Sequence, residues 1–220
     1  MTEQEGRKTV SIDIRKDLFG ANEEAATLNA ELFAKHGIVA FDIMGSVGTG
    51  KTQLIEALCE RLGRDYRILM VAGDLATRID ADRVASHGVD TVQINTGTAC
   101  HLDARMVRVA LNDVDLSKYQ VVFIENVGNL ICPAGYPLGV SKKVVVLSVT
   151  EGPYMVRKHP LTIKRSDMII INKVDLAEAL DFDVDALVDD IREVDAKLPV
   201  FKVSAKTGEG LDDVVRALGF

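Results

Sequence analysis

Gly45-Ser46-Val47-Gly48-Thr49-Gly50-Lys51-Thr52 stands between an apolar run, Gly37 to Met44, and a helix-compatible stretch that opens on Lys51. The octapeptide has the spacing G-x-x-x-x-G-K-[ST]. Its glycines permit backbone conformations that aim successive N–H groups at phosphate oxygens, and the following helix adds the positive end of its dipole. Lys51 can reach the β- and γ-phosphates, and the Thr52 hydroxyl suits magnesium. Gly45, Ser46, Gly48, Thr49, Gly50, Lys51, Thr52 and Gln53 are therefore candidate nucleotide-binding residues.

Outward from this loop, seven short apolar runs recur: 37–44, 67–72, 90–94, 120–124, 143–149, 167–171 and 199–203. Several are continuous rather than alternating, as strands buried on both faces of a parallel sheet require. Between them lie helix-compatible segments at 51–62, 79–87, 102–114, 184–197 and 211–218. Strand–helix alternation predicts an α/β, three-layer P-loop NTPase fold with a mostly parallel seven-stranded sheet flanked by helices. Residues 1–20 read as a polar N-terminal arm and 21–220 as a single domain. That domain begins with an amphipathic helix over 22–36, capped by Asn22, with Ala25, Leu28, Leu32 and Phe33 on one face.

Composition narrows the function. In 220 residues the formal net charge is −7, which argues against nucleic acid and against anionic membranes as partners. No apolar run approaches the roughly 20 residues of a membrane span, and the N-terminus is too polar for a secretory signal. Three cysteines without framework spacing predict no disulfide scaffold and a reducing cytoplasm. Cys59, among Leu54, Ile55, Leu58 and Leu62, reads as a core residue.

A metal-bound triphosphate needs further oxygen ligands at neighbouring strand ends. The strand ending in Glu125 offers one, and Gly128, three residues on, offers a backbone N–H to the γ-phosphate. Asp74, after the second apolar run, is a candidate to hold magnesium or to position the attacking water; Asp80 is a weaker one and fits equally well the start of a helix. Lys51, Asp74 and Glu125 are the candidate catalytic residues, in a reaction governed by positioning and charge neutralisation.

Asn172-Lys173-Val174-Asp175 fits N-K-x-D. The Asp175 carboxylate can accept from both donors on guanine's edge, which adenine lacks, a contact able to discriminate by about 10⁴-fold. Lys173 can cover the base, Asn172 can tie this loop to the phosphate loop, and the backbone of Ser204-Ala205-Lys206 can meet the guanine carbonyl. These residues predict GTP and GDP as ligands and GTP hydrolysis as the reaction.

Cys100 and His101 are adjacent and precede a helix; Cys132 lies just beyond Glu125-x-x-Gly128. Both segments belong at the nucleotide-facing edge of the sheet. Thiolates with an imidazole suit zinc or nickel, and a two-fold axis would complete such a site by bringing a second set together. Two unrelated loop cysteines remain the alternative on spacing alone.

GSVGTGKTQLIEAL, GDLATRIDADR, NTGTACHLDA, FIENVGNLICPA, TEGPYMVRKHP and NKVDLAEA, in this order, resemble the hydrogenase nickel-incorporation GTPases of the HypB family from about residue 20 onward. The resemblance implies a dimerising GTPase that assists nickel insertion into [NiFe] hydrogenase, working with a HypA-type nickel metallochaperone and the hydrogenase large subunit; without an arginine finger, slow intrinsic turnover is expected. It implies a nickel or zinc site on Cys100, His101 and Cys132 at the homodimer interface, and magnesium on Thr52, Asp74 and Glu125. Two departures stand out: residues 1–30 contain neither Cys nor His, so the N-terminal nickel motif of many members is not expected, and Val47 stands where relatives often have Pro. Maturation of another nickel enzyme such as urease, or a regulatory GTPase without its own metal, are the alternatives.

Overall fold

The computed structural model describes residues 14–74 and 79–220. The chain runs α1 (Ile14–Lys35), β1 (Val39–Met44), α2 (Lys51–Leu62), β2 (Ile68–Asp74), α3 (Ile79–Ala85), β3 (Asp90–Asn95), α4 (Ala104–Leu111) and β4 (Val121–Glu125). It continues with β5 (Lys142–Ser148), α5 (Met155–Lys158), α6 (Pro160–Lys164), β6 (Met168–Asn172), α7 (Val184–Val194), β7 (Val200–Lys202) and α8 (Leu211–Leu218). Seven strands form one sheet in the order β3-β2-β4-β1-β5-β6-β7, and every pairing is parallel. Such a sheet needs helices on both faces, which makes three layers.

Alternation along the strands sorts the core. Phe41 and Ile43 of β1, with Val144 and Val146 of β5, pack against α2, α3 and α8. On the other face Ala40, Val122 and Ile124 meet α1 and α4, while Val145, Leu147, Ile169 and Ile171 meet α5, α6 and α7. Fully burying each large apolar side chain stabilises by about 1.5–3 kcal/mol, and the strands contribute many. Cys59 is buried in the first of these clusters, where burial pushes its thiol up to about 12. Among the described residues no helix is long and apolar enough to cross a membrane.

The first helix departs from expectation. It starts at Ile14, so residues 14–20 of the expected arm are helical; residues 1–13 lie outside the described residues. Asn22 is not a cap. Mid-helix and buried, it donates from Nδ2 to the Pro137 carbonyl at 2.9 Å and accepts from the Ala104 N–H at 2.8 Å. Asn29, two turns further along the same face, donates to the carbonyls of Ala104 and Leu138. These tertiary bonds rotate the helix so that Leu28, expected on its packed face, is exposed. The helix expected from Leu102 begins instead at Ala104, where Asp103 caps it by accepting from the Met106 N–H at 2.7 Å.

β1 carries a charged residue in its interior. Asp42 is fully buried on the central strand, and Asn126 Nδ2 donates to its Oδ1 at 3.0 Å, while Oδ2 has no partner among the described residues. Burial pushes this carboxyl up to about 7 from an ordinary 3.8, against the opposing pull of Asn126 and Lys143. As pH rises from 3.8 towards 7, the unfolded chain releases this proton and the folded chain retains it. Stability therefore falls across that window, by up to ~4 kcal/mol from this one group, and levels off above it. Asp42→Asn keeps the acceptor that faces Asn126 and removes the titration. In urea unfolding between pH 4 and 7, the variant gains on the parent chain as pH rises; a constant difference would contradict the assignment.

Candidate nucleotide and metal sites

Because all strands are parallel, the loops leaving their C-terminal ends gather along one edge. β1 ends there in the phosphate loop. Gly48 and Gly50 have φ of 82° and 91°, open to glycine and strained for other residues. At Gly50 a Cβ would also stand 2.5 Å from Asn172 Nδ2. The loop closes on itself through Thr49, whose hydroxyl donates to the Ser46 carbonyl at 3.1 Å. Lys51 is buried and folds back to donate from Nζ to the carbonyls of Gly45 and Ser46, at 3.0 and 3.1 Å. Burial lowers its pKa, opposed by the charges of Glu125, Asp80 and Glu151. Two carbonyls and three carboxylates thus hold an ammonium at the mouth of the cradle.

Three oxygens converge beside it. The Thr52 hydroxyl lies 2.9 Å from Glu125 Oε1 and 2.9 Å from Asp80 Oδ1. A hydroxyl has one proton and satisfies one acceptor at a time, so this group is short of positive charge. Glu125 is buried, its Oε2 has no partner among the described residues, and burial pushes its pKa up to about 7, with Lys51 opposing. An orphaned carboxylate oxygen beside a threonine hydroxyl and a second carboxylate fits a hard divalent cation. Asp80 stands on Thr52 itself, a contact that the sequence left undecided against a plain helix start. Asp74, at the end of β2, borders the same cavity of about 480 Å³ together with Gln53 of α2. Residues 75–78 between Asp74 and α3 lie outside the described residues.

Gly128 closes the far wall. It packs on Val47 so tightly that a Cβ would overlap the valine side chain, and neighbouring Asn129 bridges to Gly45. The segment after Glu125 therefore rests directly on the phosphate loop.

The base-binding candidates form a second cluster, on the loops after β6 and β7. Asn172 is fully buried: Nδ2 donates to the Thr49 carbonyl at 2.9 Å, and Oδ1 accepts from the N–H groups of Lys173 and Ala205 at 2.8 and 3.0 Å. One amide thus joins the phosphate loop to both loops expected around the base. Lys173 has φ of 63° and donates from Nζ to the Gly48 carbonyl at 2.5 Å, spanning the space between. The Asp175 carboxylate is exposed. Ser204 is buried and its hydroxyl accepts from the Thr207 N–H at 3.2 Å, which shapes the turn carrying Lys206.

Cys100, His101 and Cys132 come together. Their ligand atoms all lie within 4.8 Å of one another, and Cys100 Sγ is 3.7 Å from His101 Nδ1. Cys132 sits high in pKa because Cys100 shares a hydrogen bond with it and burial adds to this. Partial burial lowers the pKa of His101, against the nearby charge of Asp103, which favours the neutral imidazole that binds metals. Tyr136 packs against the imidazole with ring centroids 4.0 Å apart and planes tilted by 32°, and Phe19 of α1 packs against Tyr136 in turn at 5.1 Å. Sequence reasoning missed this aromatic backing, since Tyr136 and Phe19 are 117 positions apart and belong to no shared motif.

The comparisons agree with this geometry. The family model described as CobW/HypB/UreG, nucleotide-binding domain, matches residues 39–202. The chain is 47% identical over 204 residues to the probable hydrogenase maturation factor HypB of Methanocaldococcus jannaschii, covering 93% of this chain and 92% of that one. It is 42% identical over 200 residues to the hydrogenase maturation factor HypB of Azotobacter vinelandii, covering 91% of this chain and 66% of that longer protein. Among solved structures, HypB from Helicobacter pylori in complex with nickel aligns with a TM-score of 0.85 at 38% identity, over 90% of this chain and 93% of that one. By the family match over residues 39–202 and these identities, the chain belongs to the CobW/HypB/UreG family, and within it to the HypB group.

Proposed function

We propose that this protein is a guanine-nucleotide-gated carrier of nickel that hydrolyses GTP during maturation of [NiFe] hydrogenase. The observation that carries the reading is the Cys100–His101–Cys132 cluster, set on the same sheet edge as a phosphate loop and an N-K-x-D loop. Two thiolates and an imidazole suit nickel, and equally zinc, and leave coordination positions for a ligand from a partner. Exposed apolar residues flank the cluster and the cradle: Ile131, beside Cys132, is 67% exposed and Val47 is 82% exposed. They support a homodimer that covers this edge, with a HypA-type metallochaperone and the hydrogenase large subunit as donor and acceptor of the metal.

For the nucleotide, backbone N–H groups of residues 45–50 and the start of α2 bind the phosphates. Lys51 exchanges the carbonyls of Gly45 and Ser46 for β- and γ-phosphate oxygens. Thr52 and Glu125, with Asp80 and Asp74 beside them, hold magnesium, which neutralises phosphate charge. Gly128 offers its N–H to the γ-phosphate, and Asp74 at the cavity rim orients the attacking water. Asp175 reads the donor edge of guanine; because the Ala205 N–H is spent on Asn172, the guanine carbonyl falls to Lys206. Turnover is slow, on the order of 10⁻⁴ to 10⁻³ s⁻¹, as in GTPases that hydrolyse without a partner's arginine finger. Loss of the γ-phosphate frees the Gly128 segment, and with it the metal loops.

Two measurements test the reading. Asp175→Asn replaces one acceptor by a donor and shifts preference from GTP towards xanthosine triphosphate by ~10²-fold or more in competition binding; unchanged GTP preference removes the guanine assignment. Cys100→Ala and Cys132→Ala each lower bound nickel well below the parent stoichiometry in equilibrium dialysis while GTP binding persists. Full nickel retention in both variants ends the metal assignment.

A further inference from the structure

Asn126 is held on three sides. It is 1% exposed. Its Oδ1 accepts from the Leu102 N–H at 3.0 Å and from the Val127 N–H at 3.0 Å, and its Nδ2 donates to Asp42 Oδ1 at 3.0 Å. Each partner belongs to a different working part. Leu102 directly follows Cys100 and His101. Val127 directly precedes Gly128, which rests on Val47 of the phosphate loop. Asp42 lies in β1, the strand that leads into Gly45.

The link to the metal loop is tight on its far side as well. Leu102 is fully buried and presses on Gly73, where a Cβ would stand 2.7 Å from Leu102 Cδ1; Gly73 precedes Asp74 at the end of β2. The residue after the Cys-His pair is thus wedged between two strand ends that border the nucleotide cavity. Away from water, an amide cannot trade a lost partner for solvent, so breaking any of these bonds strands a polar group at substantial cost. A shift of residues 125–128 must therefore carry Leu102 with it, or leave its N–H unpartnered.

We propose that Asn126 is a positioning residue that couples the two sites: through its amide, occupancy of the phosphate cradle sets the placement of Cys100 and His101, and metal occupancy acts back on the cradle. The proposal rests on the nucleotide-gated reading above and assigns the coupling to one side chain. It differs from the ligand assignments, since Asn126 itself supplies no atom to nickel.

Linkage measures this directly. Nickel dissociation constants are determined by competition with a chromophoric chelator, with the protein loaded with GDP or with a non-hydrolysable GTP analogue. In the parent chain the two constants differ by ~5-fold or more, within the usual span of coupling between sites, and nickel shifts affinity for the analogue by the same factor. In Asn126→Ala both ligands still bind and the ratio collapses to within about two-fold of unity. The exchanged pair Asp42→Asn/Asn126→Asp, in which position 42 donates and position 126 accepts from both N–H groups, recovers the ratio. Should Asn126→Ala fail to fold, Asp42→Val/Asn126→Ala removes the carboxylate that alanine would strand and carries the same expectation. A parent-like ratio in either alanine variant overturns the proposal, and failure of the exchanged pair to recover it counts against it. A ratio of one in the parent chain overturns the gated reading itself, so the two failures are told apart.

Discussion

Parallel strands all end at one edge, and this constraint places the phosphate loop, the carboxylate cluster, the N-K-x-D loop and the Cys-His-Cys cluster side by side. The arrangement holds only if the edge loops are fixed relative to each other. Two buried asparagines do this: Asn172 joins the phosphate loop to the loops after β6 and β7, and Asn126 joins the segment after β4 to the residue that follows His101. An amide offers donors and an acceptor on one rigid plane, and carries no charge that burial would penalise. Either residue costs far less to bury than an ion pair of the same reach.

Electrostatics at the edge is balanced for ligands carrying charge of both signs. Lys51 is buried with its pKa lowered, while Glu125 beside it is raised to about 7. Burial disfavours the charged form of each, and each gains when a counter-charge arrives: phosphate for the lysine, a divalent cation for the glutamate. The thiol and imidazole cluster follows the same logic. Cys132 shares a hydrogen bond with Cys100, and a metal ion bound there would displace the thiol protons by favouring both thiolates.

Much of this was legible in the sequence. Short apolar runs announced the seven strands, several of them continuous because a strand covered on both faces has few polar positions, with Asp42 in β1 and Gln93 in β3 as exceptions. The cradle, Glu125, Gly128, Asn172 and the three metal-ligand candidates stand where motif spacing put them. What escaped was whatever depends on tertiary partners. Asn22 has the local signature of a cap, yet its amide serves Pro137 and Ala104, more than eighty positions away. Leu102 reads as the first residue of a helix, but its N–H meets Asn126 and the extended Asp103 takes the capping position, so the helix starts two residues later. Asp80 ranks below Asp74 in the sequence, yet Asp80 is the carboxylate that stands on Thr52, because that contact depends on where α3 packs.

The most direct test of the account is calorimetric titration of the folded protein with GTP and with ATP, each with magnesium. The account requires saturable binding of one GTP per chain and affinity for ATP weaker by ~10³-fold or more. Equal binding of the two nucleotides, or no heat with GTP, would contradict it.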